Sequence, residues 1–284
     1  MTSKTKSKKI EPGSGESVTT QILRFRNARS AKIQADRVAC EEPLEIRVHG
    51  RSVAVTMRTP GHDDELAAGF LLSEGLIKKR GDVVEIAACR SGDVANSDNI
   101  LNVFLSASVK VDWEQLTRHV FASSSCGLCG KASIESVHQH FPPIKAELKI
   151  SPGIIARLPE TLRAAQKTFA VTGGLHGAAV FDAKGKLIVS REDVGRHNAV
   201  DKVIGYGFLN RRLPFDRHVL LVSGRASFEI LQKALAARIP MICAVSAPSS
   251  LAVEFARESG QTLVGFLRGN TMNVYAHAGR IAGK

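Results

Sequence analysis

Three short apolar runs, "VLLVS", "MICAV" and "TLVGFL", recur between stretches of amphipathic helical spacing, and this alternation constrains the fold of the 284-residue chain more than any other feature. A strand that is apolar at successive positions has no face to give to water, so both of its faces must be covered. The intervening runs "SFEILQKALAAR" and "SSLAVEFARESG" supply that cover. Upstream, "GAAVFD", the turn "AKGK" and "LIVSRED" read as a β-hairpin, followed by the helical "VGRHNAVDKVIGYGFLN". "SPGIIARLPETLRAAQKTF" predicts a helix ahead of the hairpin, with a break expected at Pro159. Residues 151–284 therefore predict an α/β domain of three layers, α/β/α, on a largely parallel sheet.

The first half has a different pattern. "TQILRFRN" and "LEIRVHGRSVAVTMRTP" alternate apolar and polar residues around an "HGRS" turn, as a half-buried hairpin does. "GHDDELAAGFLLSEGLI" carries Leu66, Ala67, Phe70, Leu71, Leu76 and Ile77 at helical spacing, with Asp63, Asp64 and Glu65 where negative charge suits a helix start. With the strand-like "VVEIAAC" and "NILNVFLS", residues 20–120 predict an α+β subdomain. Residues 1–19 read as a disordered basic tail, and residues 121–150 as a mobile loop and linker, the halves meeting at about 141–151 in "FPPIKAELKIS".

Composition narrows the function classes. No apolar run approaches the roughly 20 residues that span a bilayer, and the N-terminus lacks the apolar core of a secretory signal, so a cytoplasmic protein is expected. Of the net charge of +12, four units are Lys4, Lys6, Lys8 and Lys9 of the tail. The remainder suits an anionic partner, but one Trp and two Tyr make a poor stacking platform, and general nucleic-acid binding is not expected.

Five cysteines do not build a disulfide framework, and a reducing compartment keeps them as thiols. Cys126 and Cys129, in "SSSCGLCGK", are the one close pair. A structural zinc site needs four ligands. Cys89 and Cys243 lie far off in apolar, strand-like runs that suit buried inert thiols, whereas His119, His138 and His140 are near enough to complete a set. A thioredoxin-like pair would follow a strand and open a helix, and "HVFASSS" is more loop than that, though a dithiol relay stays open. Persulfide transport asks for an accessible thiol with nearby positive charge, which the serines, glycines and Lys131 provide.

The second half resembles the cytidine deaminase-like layout, whose enzymes hold zinc with H-x-E and P-C-x-x-C at successive helices. Here His197 is followed by Asn198 and Ala199, and "SGRASFEI" has no cysteine, so no zinc and no deamination are expected. What remains is a rim of "TGGLHGAA", "REDVGRHN", "SGRASFE", "SAPSS" and "LRGNTMN" at strand ends, where α/β sheets bind ligands and helix N-termini meet anions. Arg225, Ser249 and Arg268 follow three successive strands, which points to a phosphate-bearing ligand; turn and capping roles are the alternative. His176 and His197 are ligand or chemical candidates, or hydrogen-bonded structural histidines. Glu192 and Asp193 either bind a base edge or pair with Arg191 and Arg196.

Taken in order, "SSCGLCGK", "TGGLHGAA", "EDVGRHNAVDKVIG", "LLVSGRASFEI", "SAPSSLAVEFA" and "TLVGFLRGNTMNVYAH" resemble the FdhD family, sulfur carriers required for formate dehydrogenase activity. The resemblance implies a sulfurtransferase that takes sulfur from a cysteine desulfurase and passes it to the molybdenum bis(molybdopterin guanine dinucleotide) cofactor before that cofactor enters formate dehydrogenase. It places the persulfide on Cys126 with Cys129 assisting, and cofactor contacts on Gly265, Phe266, Leu267, Arg268, Gly269 and Asn270. Arg225 and His197 join them from the rim. The family also implies a homodimer. A cofactor-binding chaperone without sulfur transfer, or a dithiol oxidoreductase, is the alternative.

Overall fold

The computed structural model describes residues 15–26, 30–89, 99–111, 113 and 140–282. Cys126 and Cys129, with most of the predicted loop at 121–150, lie outside the described residues.

The chain opens with an antiparallel ribbon, β1 (Ser17–Arg26) and β2 (Ser30–Ala39). β1 begins three residues inside the segment read as tail, and β2 was not legible as a strand. β3 (Glu42–Val48) and β4 (Arg51–Arg58) form the expected hairpin, turning at His49 and Gly50, both with positive φ. α1 (Asp63–Ser73) follows; Leu76 and Ile77 fall beyond its end, though Ile77 is fully buried. β5 (Val83–Ala88) and β6 (Ile100–Leu105) complete a four-stranded sheet of order β4-β3-β6-β5.

From Pro152 the order is α2 (Pro152–Ala165), α3 (Lys167–Thr172), β7 (His176–Asp182), β8 (Leu187–Asp193), α4 (Arg196–Leu209), β9 (His218–Val222), α5 (Phe228–Ala236), β10 (Met241–Ala244), α6 (Ser250–Ser259), β11 (Thr262–Arg268) and β12 (Thr271–Ala276). The helix break comes at Gln166 (φ −80°, ψ 79°), not at Pro159, which sits inside α2 between the buried Leu158 and Leu162. Burial on both sides holds the helix through a residue that donates no hydrogen bond.

The six strands run β12-β11-β10-β9-β7-β8. Only β9, β10 and β11 are mutually parallel; the hairpin β7–β8 and the edge strand β12 join antiparallel, so the sheet is mixed rather than largely parallel. Alternate residues divide between two cores. Ala178, Val180, Leu220, Val222, Ile242 and Ala244 face the layer of α4, α5 and α6. Ala179, Phe181, Val219, Leu221, Met241 and Cys243 face Ile155, Leu158 and Leu162 of α2.

The first of these cores continues into the other half, taking in Leu44, Ile46 and Val103 of the small sheet and Leu66, Ala67 and Leu71 of α1. α1 crosses α4 at backbone distance. A Cβ on Gly69 would lie 1.9 Å from the Asp201 carbonyl oxygen, and one on Gly205 would lie 1.7 Å from that of Glu65. Around the crossing, Arg191 grips Glu65 with two hydrogen bonds of 2.5 and 2.6 Å, and Lys233 reaches Asp201 at 2.9 Å. Arg191 and Glu65 meet across the two halves, whereas Asp201 and Lys233 pair within the second half and Ser73 of the first donates to Asp201 at 3.1 Å.

Candidate functional site

The parallel strands β9, β10 and β11 end on one rim, and the start of β7 reaches the same edge because Ala178 pairs with Val222. Two groups of side chains meet there.

The first surrounds the N-termini of α4 and α5. Asp193, fully buried, pairs with Lys202 Nζ at 2.7 Å and accepts from Gly195 N at 2.8 Å and Asn198 Nδ2 at 3.0 Å. This fixes the turn into α4 and presents Arg196 and His197 on its first residues. Neither acid of the "RED" stretch pairs with Arg191 or Arg196, one of the two expected alternatives: Arg191 goes to Glu65, Asp193 to Lys202, and Glu192 accepts from Thr168 N and Phe169 N at the start of α3.

His197 Nε2 lies 3.1 Å from Ser227 Oγ and 3.6 Å from Glu229 Oε2. Both partners face the same nitrogen, so the three side chains do not form a nucleophilic relay, which needs the acid on the far nitrogen. Burial, above all, pulls the His197 pKa down to about 4, against the opposing pull of Glu229. It is neutral near pH 7. His176 is also lowered, by burial and then by Arg196, with Arg225 adding to it. Burial would raise Glu229, but hydrogen bonds from Ser227 and from its own N–H, with His197 and Arg196 nearby, leave it lowered.

No side chain caps the N-terminus of α4 or of α5, since Ser227 Oγ turns to His197. The first N–H groups of α4 remain donors toward the rim, whereas at α5 the Glu229 carboxylate takes its own N–H. α6 differs: Ser249 accepts from Ala252 N at 3.2 Å, the capping role foreseen as the alternative for that serine.

The second group is built on β11. Its backbone breaks register with β12 between Gly265 and Arg268, and Phe266 adopts φ 51° with 39% of its surface exposed. Gly265 is required by close approach: a Cβ would lie 2.9 Å from Pro248 Cδ and 3.0 Å from Tyr275 Cε2. Phe266 N donates to Ser246 O at 3.1 Å and Arg268 Nε to Val245 O at 3.0 Å, which ties the segment to the loop after β10. The Arg268 guanidinium lies 5.8 Å from the Phe266 ring centroid. Leu267 is buried in the sheet core, while Gly269 (φ 52°) and Asn270 are exposed in the turn to β12.

A short parallel bridge, Ala226 to Pro248, joins the two groups. The rim thus combines exposed Arg225 and Arg268, half-buried Arg196, the open N-terminus of α4 and an exposed aromatic ring. Such a surface can hold phosphates and stack a planar ring. Ser227, Glu229, Pro248 and Tyr275 had not been singled out. The quoted "SGRASFE" and "SAPSS" contained three of them, but their partners come from other strands.

The remaining described cysteines are elsewhere. Cys243 is fully buried with its thiol pushed up to about 12 by burial, and Cys40 is buried and raised for the same reason. Cys89 is half-buried rather than buried, at the end of β5. Among the described residues, no three His, Cys, Asp or Glu side chains are grouped to hold a metal ion, and no helix is long and apolar enough to cross a membrane.

A family model described as the FdhD/NarQ family matches residues 39–282. The chain belongs to the FdhD/NarQ family. Within it, the chain is 49% identical to a protein of Streptomyces coelicolor named sulfur carrier protein FdhD, covering 92% of this chain and 94% of that one. Its namesake in Mycobacterium tuberculosis is 49% identical over 94% of this chain and 99% of its own. One from Sulfolobus acidocaldarius is 47% identical over 87% and 91%. The FdhD/NarQ chain also superposes on a crystal structure from Desulfotalea psychrophila described as that of a formate dehydrogenase accessory protein, with TM-score 0.75, 26% identity, and 94% and 100% of the two chains covered.

Proposed function

We propose that this protein is a cytoplasmic sulfur carrier serving formate dehydrogenase. It takes sulfane sulfur from a cysteine desulfurase and passes it to the molybdenum bis(molybdopterin guanine dinucleotide) cofactor. The observation that carries the reading is the rim: a cationic edge with an exposed aromatic residue, in a chain about half identical to proteins named sulfur carriers. Arg225, Arg268 and the N-terminus of α4 would take the phosphates, Phe266 would meet a guanine face, and neutral His197 would offer a hydrogen bond.

In the transfer, the Cys126 thiolate attacks the terminal sulfur of the donor persulfide; a new S–S bond forms on Cys126 and the donor cysteine leaves as thiolate. At the acceptor, Cys129 attacks the inner sulfur of the Cys126 persulfide. A Cys126–Cys129 disulfide forms, sulfide leaves for the cofactor, and a cellular thiol later reduces the disulfide. We further infer that the six-stranded domain is deaminase-like: a hairpin followed by three parallel strands with helical crossovers, His197 and Ser227 standing at successive helix N-termini. A second copy is the partner we assign to the ribbon, whose Leu23, Phe25 and Ile33 share one face and are more than half exposed.

Intact mass after treatment with desulfurase and cysteine tests the reading. A reductant-labile gain of one sulfur, lost in Cys126→Ala, is expected. Zinc held by the two cysteines, or disulfide exchange without bound sulfur, would replace it with a chaperone or an oxidoreductase.

A further inference from the structure

A second cationic feature lies at the opposite end of the six-stranded sheet, where α4 and α5 finish. A depression of about 290 Å³ has an apolar floor that includes Leu72, Phe208 and Leu213, and its rim carries Lys78, Lys79, Arg80, Arg211 and Arg238. Among the described residues, no carboxylate lines it. The nearby Asp82 accepts the backbone N–H groups of Lys78 and Lys79 at 2.7 and 3.1 Å, and Asp216 acts on Arg238 and on His218.

Two of the arginines hold an unusual backbone. Arg211 (φ 54°) and Arg238 (φ 62°) each stand just past the end of a helix, the place where a left-handed residue is normally glycine. A bulky residue is strained there, and the helix dipole alone would be served equally well by a cation one turn earlier. Glycine would suit the fold better. The side chains at both positions converge on one pocket.

We propose that this pocket docks an acidic segment of a partner protein, one apolar side chain of which fills the floor while flanking carboxylates meet the cationic rim. Charge complementarity and the apolar floor select that occupant; a phosphate site would offer converging backbone N–H groups instead. The partner is the sulfur donor, and this part of the proposal rests on the sulfur-carrier reading. The chain enters the described structure at His140, whose ring lies against Gly75, and Arg238 donates to the Pro142 and Pro143 carbonyls beside the pocket. Cys126 is fourteen residues before His140, within about 50 Å of it at full extension, so a donor seated here is in reach of that thiol.

The probe is a dye-labelled synthetic peptide with one leucine between runs of glutamate, read by fluorescence anisotropy on the full chain. It should bind the wild type, weaken with salt, weaken when glutamine replaces glutamate, and lose at least tenfold in affinity to K78Q/R211G. The melting temperature of R211G should be unchanged or higher. Equal binding by the double variant, or no binding by the wild type, overturns the site; pyrophosphate binding in the peptide's place makes it a phosphate site and overturns it too. Sulfur loading separates the two readings. Desulfurase should load the double variant several-fold more slowly, while inorganic polysulfide loads both proteins equally. Equal loading by the desulfurase overturns the assignment of partner. Failure of both sulfur sources on wild type removes the sulfur-carrier reading and the donor assignment with it, and leaves the peptide result to decide the pocket.

Discussion

His197 Nε2 and Ser227 Oγ are 3.1 Å apart, joining the first turn of α4 to the first residue before α5. Because the ring is held neutral, its charge state sets how the fold responds to acid. The folded His197 titrates at about 4, chiefly because it is buried, against an ordinary value of 6.5. Between those values the unfolded chain binds a proton that the folded chain does not, so stability falls as pH is lowered from about 6.5 to about 4. His62, His176 and His218 are lowered too and act in the same sense. Denaturant midpoints across this window should therefore fall less steeply for His197→Gln than for wild type, and parallel slopes would show that His197 is not held neutral.

Arg268 is exposed, and its Nε bond to Val245 O is to a neutral acceptor, so its charge remains for a ligand. Losing one charge-assisted contact costs about 1.5 kcal/mol, about tenfold in Kd. Arg268→Ala should bind a guanosine phosphate about tenfold more weakly, with a smaller dependence on salt. Unchanged affinity in calorimetry would remove this arginine from the site.

Gly265→Ala tests the backbone of the same segment without touching a charge. The new methyl meets Pro248 and Tyr275 at 2.9 and 3.0 Å, and overpacking of this kind costs about 1–3 kcal/mol. Nucleotide affinity should drop with Arg268 still present, because the loop after β10 has to move. Wild-type affinity would show that the crossing of the two loops does not shape the site.

Lys202 is buried against Asp193 and also donates to Thr59 O at 2.8 Å. Lys202→Met leaves a buried carboxylate without its partner, at about 3–5 kcal/mol. Chemical denaturation should register that loss. Nucleotide binding should weaken along with it, since Asp193 sets the turn that presents Arg196 and His197.

Strands buried on both faces were the most legible part of the sequence: β9, β10 and β11 stand where their apolar runs placed them. β2 and β12 were not, because "SAKIQADRVA" and "TMNVYA" are ribbon or edge strands with little burial to impose a pattern. The expected break at Pro159 was overridden by Leu158 and Leu162, a tertiary contact that no local rule contains. At the rim, Arg225, Ser249 and Arg268 were found from their position after strands, because strand ends are marked in sequence. The pairing of His197 with Ser227 was not found, since thirty residues separate them and only the sheet brings them together. The choice left open for Glu192 and Asp193 could not be made from sequence for the same reason: their partners, α3 and Lys202, are chosen by the fold.

The close crossing of α1 and α4, glycine against carbonyl on both sides, also bears on what the covalent link between the halves is for. One continuous core, the Arg191–Glu65 ion pair and the Lys202 hydrogen bond to Thr59 O already hold the described residues of the first half to residues 140–282. The peptide between them is then not needed as a fastening, and a protease cut within it would yield a nicked protein that still migrates as one particle. Two separately expressed fragments should find each other and reassemble, leaving the cysteine-bearing connection free to be lengthened or replaced without dismantling the body that carries it.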